Sequence, residues 1–198
     1  MAEDLSRALH DLIESTGSLD DVHVFFTTHS IPDVMQDASG PGGTGAYLAQ
    51  HHLVAERVFA QAIAGLDATP ANSLVFQSRS GPPTMPWLEP DINDALREAA
   101  ARGVREVIIV PIGFISDHIE VIWDLDTQAR ETADELGLGF TRVRTAGVDP
   151  RFVSGLVDVI VDALRSTSQV VDGTWAGTCS DDCCASARST RGAVPGID

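Results

Sequence analysis

The chain contains no lysine, and its 13 basic residues are all arginine. Against them stand 29 aspartates and glutamates, so the formal net charge is −16. A surface of this sign repels the phosphate backbone of nucleic acids, and we therefore expect no nucleic-acid partner. The same charge attracts cations, although acidity taken alone most often serves solubility.

Long apolar runs and early cysteines are missing as well. No stretch approaches the ~18–20 apolar residues of a membrane-spanning helix, so we expect no membrane span. Residues 1–7 lack the basic and apolar regions of a secretory signal, which favours a cytoplasmic location. The cysteines, Cys179, Cys183 and Cys184, all lie in the last 20 residues, so disulfides do not hold the core together.

What the chain does have is an alternation of strand and helix patterns. At 198 residues and 43% hydrophobic content, it is long enough for one domain with a substantial core. Predicted helices cover 1–15, 47–64, 91–101 and 118–136, with a last helix after Asp149 and Pro150; predicted strands cover 22–28, 106–111 and 140–143, and another begins at Ser73. This order predicts an α/β fold, a three-layer, doubly wound parallel sheet of about four strands.

The last predicted helix marks the end of the regular pattern. Five of its apolar side chains are expected to face the core: Phe152, Leu156, Val159, Ile160 and Ala163. Helical periodicity fades after Arg165. We therefore expect an α/β domain over 1–165 and a flexible, irregular tail with the cysteine motif over 166–198.

His29 and Glu120 are the first candidate site residues. Each lies shortly after a run of β-forming residues. The C-terminal ends of parallel strands meet in one crevice, so we expect these side chains, about ninety positions apart in sequence, to face each other. An imidazole and a carboxylate together suggest divalent-metal chemistry. The competing interpretation is that His29 is a structural hydrogen-bonding residue.

The predicted helix after the third strand carries further candidates. Glu120, Asp124 and Thr127 fall at i, i+4 and i+7, and their oxygens suit Fe²⁺ or Mg²⁺. An acidic helix face is otherwise simply solvated. Asp117 fits the helix N-cap better than a metal ligand, and His118 is a candidate to orient Glu120.

Three polar segments have weaker interpretations. Loop 77–83 contains Arg79, a candidate to bind a carboxylate of a substrate or of the protein; a structural turn explains this loop equally well. Residues 40–45 spell a dinucleotide-binding Gly-x-Gly-x-x-Gly, but they lie about a dozen residues beyond the strand, so we interpret them as a flexible loop. His51 and His52 are predicted to be a solvent-facing pair.

Four blocks of the chain resemble, in order and spacing, the C-terminal half of the ferrochelatase family. They are Thr28-His29-Ser30-Ile31-Pro32, the loop 77–83 with 86–90, the segment 110–120, and the three cysteines, which are similar to the iron–sulfur motif of actinobacterial-type members. The resemblance implies a lyase of haem biosynthesis that inserts its substrate Fe²⁺ into coproporphyrin III or protoporphyrin IX. It implies that His29 is a metal ligand, an acceptor of a pyrrole proton, or both. It likewise implies that Glu120 binds metal, and it makes Arg79 a candidate for binding a propionate or a structural carboxylate.

The resemblance also implies what this chain does not carry. Family members have two similar α/β halves with the porphyrin between them, so a missing N-terminal half or a second copy of this chain is an expected partner. A [2Fe–2S] cluster needs four ligands, and the tail offers three cysteines with no evident fourth. Adventitious metal binding and free thiols are the other interpretations of the tail.

Two rival functions stay open. One is a short homodimeric chelatase of a tetrapyrrole such as sirohydrochlorin. The loop 77–83 and the cysteine block argue against it, because they resemble segments of the long enzymes. The other is an inactive half-domain that binds metal or a partner chain without turnover.

Overall fold

The computed structural model describes residues 1–40, 43–82 and 84–165, with side chains to residue 162. The helices are α1 Ala2–Thr16, α2 Asp33–Ala38, α3 Ala46–Ala62, α4 Ile92–Ala101, α5 Ile119–Val121, α6 Arg130–Leu136 and α7 Pro150–Arg165, and a π-helical segment, Ile122–Ala129, joins α5 to α6. The strands are β1 Val22–His29, β2 Ala71–Gln77, β3 Glu106–Val110 and β4 Gly139–Arg142.

Within the described residues, the strands form one parallel sheet in the order β2-β1-β3-β4. His29 is in register with Gln77 of β2, and Phe26 is in register with Val110 of β3. The C-terminal ends of these three strands therefore meet at one edge. β1 is buried over seven of its eight residues, as expected for an inner strand covered on both faces.

The two faces of the sheet contribute to two separate cores. One core contains Phe25, Ile109, Leu96 of α4 and Leu125 of the π-helical segment. The other contains Val24, Ile108, Leu5 of α1 and Ala55 of α3. Because successive strand residues point to opposite faces, Val24 and Phe25 enter different cores. The predicted three-layer α/β fold is confirmed.

The predicted helix 118–136 is present, but it is not α-helical throughout. Its middle, Ile122–Ala129, is π-helical, with backbone hydrogen bonds between residues five apart. Its buried apolar positions are spaced by four: Val121, Leu125, Ala129 and Ala133. A repeated spacing of four drifts off one face of a helix with ~3.6 residues per turn. The wider π turns keep these side chains on the core.

The prediction that α7 faces the core is wrong. Leu156, Val159 and Ile160 are 43%, 67% and 58% exposed, and Phe152 is half-buried. The side chain of Ala163 lies outside the described part. The physical reason is that α1 and α3 already cover one face of the sheet and α4 and α6 the other.

Two further predictions concern the regions around α7. The tail 166–198, with its three cysteines, lies outside the described residues, and the boundary at 165 stays a prediction.

At the start of α7, Arg151 binds Glu3 of α1 through its two terminal guanidinium nitrogens. None of the helices in the described ranges combines the length and apolarity needed to cross a bilayer.

Candidate functional site

His29 and Glu120 lie together at the C-terminal edge of the sheet. His29 ends β1, and Glu120 is in the first turn of α5, after the loop that follows β3. The Nε2 atom of His29 is 3.2 Å from Oε1 of Glu120, and the two side chains are 35% and 46% exposed. The expectation that they face each other is thus met by the fold, while their chemical roles stay a prediction.

Neighbouring backbone groups fix the orientation of the His29 ring. Its Nδ1 is 2.5 Å from the carbonyl oxygen of Ser30. A carbonyl oxygen can only accept, so Nδ1 carries a hydrogen. Nε2 faces Glu120 and donates to its carboxylate only when that nitrogen is protonated as well. Ser30 is itself held, because its amide donates to Gln77 O at 2.8 Å and its hydroxyl to Leu88 O at 2.8 Å.

Asp124 provides a second carboxylate on the same helix. It accepts hydrogen bonds from the hydroxyl of Ser78 and from Nε2 of Gln77, the latter at 3.4 Å. Both donors are at the end of β2, so Asp124 ties the π-helical segment to the sheet edge. Among the described residues, the buried atoms Oε1 of Gln77 and Oγ1 of Thr27 have no hydrogen-bond partner.

The loop after β3 depends on a glycine. Gly113 donates its amide to Thr27 O at 3.1 Å. A Cβ atom at this position would lie 2.1 Å from Oγ1 and 2.8 Å from Cα of Thr28. Any side chain here would push the loop away from β1, and with it the segment that carries Glu120.

Arg142 of β4 anchors the other end of this loop. Its guanidinium binds Asp117 at 2.8 Å and Asp126 at 2.5 Å. The predicted N-cap role of Asp117 is therefore wrong: the N-cap position is His118, without a side-chain hydrogen bond. Arg142 holds the carboxylate of Asp117 in a hydrogen bond between two charged groups, so this carboxylate points to β4 instead of the helix N-terminus.

Two other predicted residues make their contacts with groups other than His29 and Glu120. The ring of His118 packs edge-on against Phe114 at 5.5 Å, and no hydrogen bond joins it to Glu120 in the described part of the chain. Arg79 binds Glu89 at 3.5 Å and the carbonyl of Met85 at 3.4 Å, within its own loop. That geometry matches the structural-turn interpretation.

Metal-binding capacity rests on few side chains. In the ranges that the structure describes, no cluster of three or more His, Cys, Asp or Glu side chains is arranged to hold an ion. The pair of His29 and Glu120 thus offers one nitrogen and one carboxylate. The cysteines lie outside the described residues.

Exposed apolar side chains lie close in sequence to both members of the pair. Ile119, Ile122 and Trp123 flank Glu120, and Val34 and Met35 lie in α2, shortly after His29. Large apolar side chains exposed next to a polar pair are typical of a site for an apolar or aromatic ligand.

Sequence reasoning missed Tyr47 and His51 of α3. His51 is half-buried rather than solvent-facing, and its Nε2 lies 2.9 Å from Oγ1 of Thr28. Burial lowers the pKa of its imidazole below the ordinary value. The hydroxyl of Tyr47 reaches both Thr28 and the carbonyl of His29. The i, i+4 spacing of these aromatic polar residues was the available signal.

The sequence is similar to those of known ferrochelatases. A coproporphyrin III ferrochelatase of Propionibacterium freudenreichii subsp. freudenreichii is 49% identical over 180 residues, covering 89% of this chain and 51% of that protein. One from Leifsonia xyli subsp. xyli (strain CTCB07) is 42% identical over 212 residues, covering 98% of this chain and 53% of the relative. The chain spans about half the length of the curated relatives it matches.

A solved structure of a protein described as CbiX of cobalamin (vitamin B12) biosynthesis, from Marinobacter aquaeolei VT8, has a TM-score of 0.46 and 14% identity. The match covers 74% of this chain and 99% of the CbiX chain. The ferrochelatase family model matches residues 1–164. With a match over most of its length, the chain belongs to the ferrochelatase family.

Proposed function

We propose that this chain is the metal-handling half of a ferrochelatase, a lyase of haem biosynthesis that inserts Fe²⁺ into a porphyrin. The observation that supports this most is the 3.2 Å approach of His29 Nε2 to Glu120 Oε1, in a chain of this family. A base and an anionic oxygen side by side suit a reaction that exchanges protons for a dication.

The proposed chemistry is balanced in charge and protons. Two pyrrole N–H protons leave as the nitrogens bond to iron, so one Fe²⁺ replaces two H⁺. His29 takes one proton on Nε2, because its Nδ1 already donates to Ser30. The other proton passes to water, which reaches the partly exposed site. The carboxylate of Glu120 is a ligand type that divalent iron accepts.

The proposed porphyrin is coproporphyrin III, the substrate in the names of the relatives. The exposed apolar side chains of Ile119, Ile122 and Trp123 suit a large aromatic macrocycle. A role for Arg79 toward a propionate requires the guanidinium to exchange Glu89 for the substrate carboxylate.

We further propose that a second protein domain packs on the apolar face of α7 in the active enzyme. Val153, Leu156, Val157 and Ile160 are exposed at i, i+3, i+4 and i+7, which makes one apolar stripe. The relatives are about twice as long as this chain. The first candidate is therefore an N-terminal half like that of the relatives, and the second is another copy of this chain.

Two finer points belong to the same proposal. We propose a cytoplasmic location, where haem synthesis would have access to reduced iron. For the tail, three cysteines are one short of a [2Fe–2S] cluster, so a cluster requires a fourth ligand other than the cysteines of this chain.

The test is Fe²⁺-dependent loss of free coproporphyrin III fluorescence under anaerobic conditions. One arm contains the chain alone, and the other adds the N-terminal half of the Propionibacterium relative. We expect insertion in the second arm at least. Porphyrin binding without fluorescence loss in both arms would mean an inactive half-domain. Insertion by the chain alone, with a dimer mass in light scattering, would favour the homodimeric chelatase.

A further inference from the structure

A hydrogen-bonded group behind His29 connects its peptide to α3. The hydroxyl of Tyr47 lies 2.7 Å from the carbonyl oxygen of His29 and 2.9 Å from Oγ1 of Thr28. Tyr47 is half-buried and Thr28 is buried. Burial raises the pKa of Tyr47 above its ordinary value, so its hydroxyl keeps its proton at neutral pH.

The direction of these hydrogen bonds follows from counting protons. His51 Nδ1 is 2.7 Å from Tyr47 O, and since a carbonyl only accepts, Nδ1 carries the hydrogen. In the neutral imidazole that burial favours, Nε2 then accepts, so the hydroxyl of Thr28 donates to it at 2.9 Å. With its single proton used, Thr28 can only accept from Tyr47. The Tyr47 hydroxyl is therefore a donor, and His29 O is its nearer acceptor.

The peptide between His29 and Ser30 is thereby held on both edges. Its carbonyl accepts from Tyr47 at 2.7 Å, and its amide donates to Gln77 O at 2.8 Å. Two partners on opposite edges stop this plane from rotating. The next carbonyl, that of Ser30, accepts from Nδ1 of His29. Rotation of the peptide plane would displace that acceptor and release the imidazole ring.

We propose that Tyr47 is a positioning residue that keeps His29 in one tautomer with Nε2 toward Glu120. Thr28, whose own proton goes to His51, leaves the Tyr47 hydroxyl as the donor to His29 O. The inference rests on the proposed function only in treating His29 as the base of the reaction. Tyr47 is the only tyrosine of the chain, so the phenol can be removed without ambiguity.

The decisive variant is Tyr47→Phe, which removes one hydroxyl and keeps the ring. The first readout is the tautomer of His29, from two-bond ¹H–¹⁵N correlations of histidine-labelled protein at a pH where the imidazole is neutral. His29→Gln assigns the signal among the six histidines. We expect a single Nδ1–H tautomer in the wild type and a mixture in Tyr47→Phe. The control, His52→Gln, changes an exposed neighbour on α3 and should leave the tautomer unchanged.

The second readout is iron insertion. We expect Tyr47→Phe to lower kcat about tenfold, with KM for porphyrin unchanged, as losses of groups that orient a ligand typically do. Thr28→Val, which removes the hydroxyl, should also produce a tautomer mixture and a lower kcat. Thr28→Ser, which keeps the hydroxyl, should leave the tautomer and kcat as in the wild type. An unchanged tautomer in Tyr47→Phe would overturn the inference, whether or not iron is inserted. If Tyr47→Phe changes the tautomer but the wild-type chain inserts no iron even with the N-terminal half added, the proposed function alone is overturned.

Discussion

The sheet edge around His29 and the apolar face of α7 differ in whether the described part of this chain supplies contact partners for them. At the sheet edge, the Nδ1 and carbonyl of His29 and the amide of Ser30 all have partners within 2.8 Å. On α7, the apolar side chains of Leu156 and Ile160 are exposed. This half of the molecule thus forms its own polar site, whereas its apolar surface lacks a cover among the described residues.

The first and last helices differ in the same way. Both carry an apolar stripe at helical spacing, yet Leu5 and Leu9 of α1 are 0% exposed whereas Ile160 of α7 is 58% exposed. An amphipathic pattern predicts that a helix has a face to bury. It does not say which surface buries that face.

The largest effect is expected for His29→Ala. If His29 is the proton acceptor, iron insertion should fall by about 10²-fold or more, since general-base catalysis contributes roughly 10²–10⁴-fold. The measurement uses the arm of the fluorescence assay that inserts iron, with circular dichroism to check the fold. His52→Ala, which alters an exposed histidine of α3, is the control. Near-wild-type insertion by His29→Ala would remove His29 from the mechanism.

Leu9→Ala and Leu156→Ala compare the two helices directly. Loss of the fully buried Leu9 should lower the free energy of unfolding by about 2–5 kcal/mol, through lost burial and a cavity. Leu156→Ala in the isolated chain should change it by less than about 0.5 kcal/mol. Urea unfolding of both variants measures this. Equal losses would show that α7 is packed in solution.

Gly113→Ala and Gly155→Ala extend the comparison to the backbone. In Gly113→Ala the added Cβ would overlap Thr28, so we expect a loss of about 1–3 kcal/mol from overpacking. Gly155 of α7 has no atom within 4 Å of an added Cβ, and alanine there should raise stability by about 0.5–1 kcal/mol. Thermal melts decide it. A stabilised Gly113→Ala would mean that the loop after β3 does not rest on β1.

Of the two site variants, Glu120→Gln is expected to have the smaller effect. Loss of the carboxylate charge should weaken Fe²⁺ binding by about tenfold, as measured by anaerobic calorimetry. Glu135→Gln removes the same charge from an exposed position of α6 and is the matched control. Asp126 is less suitable, because its carboxylate binds Arg142 at 2.5 Å. Equal losses in both Glu variants would mean that the net charge of −16 gathers the metal.

The strands, the parallel sheet and the approach of His29 to Glu120 could be predicted from the sequence. Runs of β-formers alternate with helical patterns, and parallel strands bring their C-terminal ends to one edge whatever the details of packing. The positions of His29 at the end of β1 and of Glu120 after β3 were therefore enough to bring the two side chains to the same edge.

The remaining features depended on tertiary contacts. The partner of Asp117 is Arg142, 25 residues later, and Tyr47 reaches His29 from a different helix. Local sequence determines which residues can form a helix, a strand or a cap, because those choices depend on neighbours in the chain. Which donor meets which acceptor, and whether the face of α7 is covered, depends on distances that exist only after the layers have packed.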